Sequence, residues 1–569
     1  MGPAPSRTSI STSRVVRRLL ARHFAAAGGL FWRGPRARRI VALGFLVVFA
    51  AVMLAEYVVF SRGLAALAEL RMAGAALTLY FLEGVLALIL LISLVSFVAS
   101  GLWMFYRARD TRLLLASPVP LTALYILRSL ETFAVTSWAQ VVVGVPALAA
   151  LGVVHGQGAG FYVFAAVVLG CFAVLLGAAG SVLTTVAAAL LRRAPTRLAV
   201  VLVAVVLVGT FALLVGRNLI PSTGDFYTIF EPGMLNGKPA SIKFIEAKFA
   251  FWPSHPFAAA LYGEATATPA GSPWSRALVW LAPLASLALA GTFGRSLYAR
   301  TLPSIFERFA LSTGGRRATG RPSAFPRRLG GPIGALIERD LLVIARSPHE
   351  LSRAAFLGFL LALYTSFIVV APLREVADRP DAVGRLALLN MMASGYFLTA
   401  FALRFVFPAM SLEGRAAWVL FSSPVRLTRL VGAKLALAIG VLTVTVVPIA
   451  VAGMLRLVRD PGLVLTSAAF LIKMVATTAT LLLALGAAWP NFREPNPETL
   501  STSGSGLLGT VICLLYVAVV GWEARAAALG GAVGASPVGA LLTVAAVSTA
   551  LMLGALVLVG CRAPALEAP

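Results

Sequence analysis

Residues 73–105 hold one acidic residue, Glu83, and no basic one. A stretch so long and so apolar has no place in a water-soluble core. It is long enough to cross a bilayer, and a lone segment does so only as a helix, which satisfies its own backbone. Comparable runs lie at residues 40–60, from the end of the 107–131 segment to 154, and at 160–190, 198–215 and 277–293. A second series occupies 354–373, 386–408, 430–455, 462–488, 506–522 and 537–560. The expected fold class is therefore an all-α integral membrane protein with about 12 transmembrane helices.

The composition agrees. Of 569 residues, 59% are hydrophobic and 12% charged, where a soluble domain carries about a quarter charged residues. Mean hydropathy is +0.90. The formal net charge of +26 would suit nucleic acid in a soluble protein. Here the arginines fall in short loops between apolar runs, which reports orientation and gives no nucleic-acid partner. Cys171, Cys513 and Cys561 are far apart in or beside apolar runs, without disulfide or metal spacing.

One segment occurs twice. Setting Ser117-Pro118-Val119 on Ser423-Pro424-Val425 also aligns Leu114 with Leu420, Leu121 with Leu427, Thr122 with Thr428 and Leu124 with Leu430. A capping turn recurring by chance explains Ser-Pro alone but not the flanks, so the match points to an internal duplication. Serine caps helices and proline suits the first helical position. Each copy then reads as a short interfacial helix, a break at Ser-Pro, and a new helix entering the membrane. Six spans per half is an even number, which makes the halves parallel repeats.

The expected division is 1–39, a basic amphipathic surface segment with no cleavable signal; 40–293, the first six-helix half; 294–353, a cytoplasmic linker ending in a second surface helix; and 354–569, the second half. Within the first half, residues 216–275 are an extracytoplasmic loop of short helices whose many aromatics suit headgroup depth. Both termini are cytoplasmic.

No catalytic constellation, cofactor site or metal site is legible. His349-Glu350 opens like a zincin motif, but Arg353 stands where the second histidine belongs. Gly237-Lys238 is followed by proline and lacks the upstream glycine of a P-loop. Glu83 and Lys473 are charges at mid-membrane depth, where ions are costly. They either pair within the bundle, or Lys473 snorkels along its helix. Arg128, Glu131, Lys434 and Arg404 are expected to reach the interface.

This layout resembles the permease subunits of type-2 ATP-binding-cassette (ABC-2) exporters, in a duplicated form. The features that carry the resemblance are the surface helix before each first span, the loop after each second span, and the insertion at 216–275. The resemblance implies an exporter permease with no ATPase activity of its own. Its partners would be membrane lipid and a separate cytoplasmic ABC ATPase, as a homodimer. It also implies that each loop is a coupling helix docking on that ATPase, through Asp110, Arg112, Leu113, Ser117, Pro118 and Val119, and through Glu413, Arg415, Trp418, Ser423, Pro424 and Val425. The location implied is the bacterial inner membrane. A short loop at 523–536 departs from the pattern. The alternatives are a secondary transporter of the major facilitator type, whose loop signature Arg109-Asp110-Thr111-Arg112 fails to match, and a membrane enzyme or scaffold.

Overall fold

The computed structural model describes residues 16–18, 21 and 36–567, apart from 71–72, 107–110, 118, 139, 194–208, 210–222, 231–233, 236–237, 267, 269, 314–330, 347, 371–379, 418–421, 423–426, 459, 493, 495–496, 502 and 530–536. The regular elements of the described residues are helices apart from a short antiparallel ladder, β1 (Met234–Leu235) with β2 (Lys238–Pro239). Nine of their helical stretches are long and apolar enough to cross a membrane, or up to ten if one bent pair is a single span. The all-helical membrane class is as expected, while the described residues hold fewer than the expected 12 spans. The expected run at 198–215 and most of the 1–39 segment lie outside the described residues.

The chain divides into two compact units. Unit 1 comprises residues 1–34, 49–319 and 347–360; unit 2 comprises 35–48, 320–346 and 361–569. The first helix, α1 (Arg36–Ala68), contributes its candidate span, Phe49–Ala68, to unit 1. Unit 1 continues with α2 (Gly74–Tyr106), α3 (Thr111–Ala116), α4 (Leu121–Thr136), α5 (Val145–Val154), α6 (Ala159–Arg193), α7 (Thr223–Phe230), α8 (Ala240–Phe249), α9 (His255–Thr266), α10 (Pro273–Leu289) and α11 (Arg295–Thr313). A π-helical turn, Gln140–Gly144, leads into α5, and another, Ala290–Gly294, joins α10 to α11.

Local chemistry sets several of these ends. Ser272 caps α10 by accepting from Ser275 N at 3.2 Å, with Pro273 preset at the first helical position. Helix α5 stops at Gly156, whose φ of 63° suits glycine, and Gln157 N reaches back to Gly152 O at 2.8 Å.

Helix α2 is the centre of unit 1, packing on α4, α6, α8 and α9. Between lipid-exposed helices, burying apolar area gains little, because lipid is as apolar as the neighbour. Close approach of backbones matters more. A Cβ on Gly180 of α6 would lie 2.5 Å from Phe97 Cγ, and one on Gly101 of α2 would lie 2.7 Å from Thr184 Oγ1. Each glycine thus makes room for a side chain of the opposite helix.

The 216–275 segment departs from expectation. Its short helices form, but their aromatics do not all sit at a surface. Phe249, Phe257 and Tyr262 have 0% exposure, Trp252 is buried, and Tyr80 of α2 stacks edge-on against Phe249 at 5.4 Å. Helices α8 and α9 are a cap folded onto α2, because their apolar faces find a protein groove to fill. Phe251, at the turn between them, is 98% exposed, and Phe230 and Trp274 elsewhere in the segment are exposed too.

Unit 2 holds α12 (Gly331–Arg346), most of its spans and the C-terminal helix. Helix α13 (Pro348–Val370) contributes to both units; then come α14 (Pro380–Phe401), α15 (Leu427–Leu457), α16 (Pro461–Ala488), α17 (Pro497–Ser501), α18 (Gly504–Leu529) and α19 (Pro537–Glu567). Helix α14 packs along α18, α16 along α19, and α12 on α15. After α14 comes a π-helical turn, Ala402–Val406, followed by tight 3₁₀ turns over Phe407–Ala409 and Ser411–Ala416. Helix α16 approaches this break so closely that a Cβ on Gly486 would fall 2.0 Å from the Phe407 carbonyl oxygen. Asp460 caps α16 by accepting from Gly462 N at 2.9 Å.

Candidate functional site

The first Ser-Pro element differs in detail from its sequence reading. Ser117 does not cap the following helix. Its hydroxyl donates to Leu114 O at 2.8 Å, closing the short α3, and Val119 N donates to Ser117 O at 2.7 Å. Helix α4 starts only at Leu121, with Pro120 at its N-cap position and no side-chain cap. The reason is the second proline: Pro118 and Pro120 bias the residues before them away from helical backbone, so no helix propagates until both are passed.

Behind this break lies Arg128, expected at the interface but 2% exposed. Its Nη1 donates to Glu131 Oε2 at 2.6 Å, and its Nη2 donates to the fully buried Thr111 Oγ1 at 3.1 Å. A guanidinium on α4 therefore holds the start of α3. An aromatic cluster of Phe105, Tyr106, Tyr125 and Tyr298 lies close in the fold. Tyr298 donates to Phe105 O at 3.1 Å, and Tyr106 shares a 2.8 Å hydrogen bond with Thr301. Leu113, in the middle of α3, is 74% exposed.

In the second element, the match of Ser117 with Ser423 carries Leu121 onto Leu427 and Arg128 onto Lys434. Leu121 and Leu427 are the first residues of α4 and α15, and Lys434, like Arg128, is buried. Lys434 Nζ lies 2.7 Å from Glu413 Oε1 and donates to Asp340 Oδ2 at 2.9 Å. Arg339 completes the ring, donating to Glu413 Oε1 at 2.5 Å and to Asp340 Oδ1 at 2.7 Å. Burial works against the Arg339 charge, but Asp340 and Glu413 more than offset it and raise its pKa. This four-residue network ties α12, the 3₁₀ turn around Gly414 (φ 56°) and α15.

Of the residues expected at these elements, Leu113, Ser117, Val119 and Glu413 are described. The side chains of Arg112 and Arg415 lie outside the described residues, as do Asp110, Pro118, Trp418, Ser423, Pro424 and Val425.

The two charges expected at mid-membrane depth differ in their surroundings, each within its own unit. Glu83, 0% exposed, is bound by His255 Nδ1 at 2.5 Å, whereas Lys473 is exposed on α16. The histidine went unnoticed because it lies 172 residues further along. Its signal was available: it is the one histidine in the 216–275 segment, which lies between apolar runs.

A family model described as "Putative ATP-binding cassette" matches residues 35–560. No curated protein and no solved structure matches the chain. The family match overturns the reading as an ABC-2 permease subunit and the exporter function resting on it, because the description names an ATP-binding cassette and no permease. It equally overturns the expectations that the chain has no ATPase role and that a separate ABC ATPase is its partner. The physical reason is that short proline breaks and surface helices recur in many membrane folds and specify none. The described residues do not fit a P-loop cradle, which sits between a strand and a helix. Their only strands are the two-residue ladder, and the sequence holds no G-x-x-x-x-G-K-[ST] stretch.

Proposed function

The chain belongs to the family described as "Putative ATP-binding cassette", and from that membership we propose a membrane-embedded protein of ATP-linked transport in which force passes through the two Ser-Pro elements. The observation that carries this reading is the pair of buried cations, Arg128 and Lys434, in matching register behind the two elements. A push on the exposed Leu113 face of α3 reaches α4 through Thr111 and Arg128. A push on the Glu413 turn reaches α15 through Lys434. Asp110, Arg112, Pro118, Arg415, Trp418, Ser423, Pro424 and Val425 complete the two elements in this proposal.

The proposal includes twelve spans in two parallel six-helix halves, divided at 1–39, 40–293, 294–353 and 354–569. Up to ten described spans, the shorter apolar helix Ala354–Ser366 and the run at 198–215 together support that number. Arginine placement supports cytoplasmic termini and a cytoplasmic 294–353 linker in a bacterial inner membrane. Phe251→Cys and Ser312→Cys, in a chain otherwise free of cysteine, test the orientation. An impermeant thiol reagent on intact cells should label the first and spare the second; the reverse pattern inverts the proposed topology.

The functional test uses the purified chain in lipid nanodiscs with Mg-ATP, measuring nucleotide bound and amide exchange by mass spectrometry. Saturable binding with altered exchange at both 111–136 and 411–434 is expected. A chain that retains no ATP is not ATP-linked by itself, and binding without change at either element removes them from the force path.

A further inference from the structure

Glu83 is the only charged residue of α2 and is fully buried. One carboxylate oxygen, Oε1, meets His255 Nδ1 at 2.5 Å. The other, Oε2, has no hydrogen-bond partner among the described residues. Nor has the hydroxyl of Ser254, also fully buried and adjacent to the histidine. Unpartnered polar atoms at such depth are costly to maintain and mark a place where a proton or a rearrangement is accommodated. The acid lies on a spanning helix and the base on the first residue of the cap helix α9, so the contact joins the cap to α2.

We propose that Glu83, His255 and Ser254 form a proton-binding site that, when loaded, clamps the α8–α9 cap onto α2 and, when emptied, lets the cap lift. Loading takes one proton from water onto the His255–Glu83 pair; emptying returns it to water, and no other covalent bond changes. With the proton present, the buried carboxylate faces an imidazolium. Without it, the carboxylate keeps only a neutral donor, and a buried charge so poorly matched favours the arrangement in which water reaches it.

The surroundings set the direction of the pH response. Burial pulls His255 toward its neutral form, but the hydrogen bond and charge of Glu83, followed by the charge of Glu246 on α8, reverse this and raise its pKa above the ordinary value. Tyr80 of α2 has Lys248 Nζ 5.3 Å from its ring centroid, and Lys248 is itself paired with Asp225 of α7 at 2.6 Å. Helix α9 carries Tyr262 and Glu264, α10 carries Arg276, and α6 carries Tyr162 and Cys171. A base whose folded pKa is raised stabilises the fold fully below its unfolded pKa and loses that contribution as pH rises through the folded value. The clamp is therefore closed in acid and opens above the ordinary imidazole range.

Amide exchange of the full chain in detergent, corrected for intrinsic rates, tests the clamp. From about pH 6 to about pH 9, protection of residues 255–266 should fall severalfold as the proton leaves. Glu83→Gln should abolish the dependence. Glu246→Gln, which leaves the pair in place, should move the midpoint to lower pH, and it serves where Glu83→Gln does not fold. Protection that ignores pH in the parent, the same pH dependence in Glu83→Gln, or an unmoved midpoint in Glu246→Gln would each overturn the clamp.

Discussion

Lys434→Met should destabilise unit 2 by about 3–5 kcal/mol, the effect of removing one partner from a buried ion pair. The Lys434 side chain is 6% exposed, between carboxylates that are 11% (Glu413) and 18% (Asp340) exposed. Methionine retains most of the aliphatic stem, so little of the loss comes from a cavity. What remains is two half-enclosed carboxylates facing Arg339, which at 37% exposed is screened by solvent and offsets them weakly. Thermal unfolding in mild detergent reads the cost. Adding Asp340→Asn and Glu413→Gln to the same chain should restore more than half of it, since both uncompensated carboxylates are then gone and the one charge left, Arg339, is screened by solvent. A single variant as stable as the parent would show that the network contributes nothing to the fold.

Arg128→Met should cost about the same, about 3–5 kcal/mol, but Arg128→Lys separates charge from geometry. The planar guanidinium serves Glu131 and Thr111 from two different nitrogens, at 2.6 and 3.1 Å. An ammonium is a point charge on a flexible stem and does not reproduce that fork. Lysine should keep the pairing with Glu131, lose the hold on Thr111, and cost about 1–3 kcal/mol, the effect of leaving a buried polar group unmatched. Amide exchange across 111–116 should rise in Arg128→Lys while the rest of unit 1 stays protected. Equal damage from lysine and methionine would mean that the packed shape of the guanidinium matters, and not its charge.

The spans were legible because uninterrupted apolar sequence has few folded outcomes, and α2, α6 and α16 lie close to where their residues alone put them. The Ser-Pro breaks were visible as breaks, but what each residue does there was not. Ser117 ends one helix instead of starting the next, a choice made by Pro120 two residues past the first proline. Arg128 and Lys434 read as surface cations near helix ends, since nothing local in the sequence announces that Thr111 or Asp340 will fold against them. The same distance hid His255 from Glu83. The family was misread because a repeated dipeptide and a surface helix describe how a chain meets a bilayer, not which chemistry it serves.

The π-helical turns at Gln140–Gly144, Ala290–Gly294 and Ala402–Val406 have a further consequence. Each inserts one residue into a helical turn, and one residue is about 100° of rotation at 3.6 residues per turn. A helix carrying such an insertion behaves like a screw with a slipped thread: the side chains beyond it point at different neighbours than the pattern before it would dictate. Shifting the insertion by a turn would re-aim the intervening side chains while every backbone group kept a partner. Gly294 occupies one such slip, where a Cβ would lie 2.4 Å from the Tyr125 hydroxyl. The phase of that thread is therefore locked to the aromatic cluster behind the first Ser-Pro break, so the twist of α11 and the seating of α4 are set together.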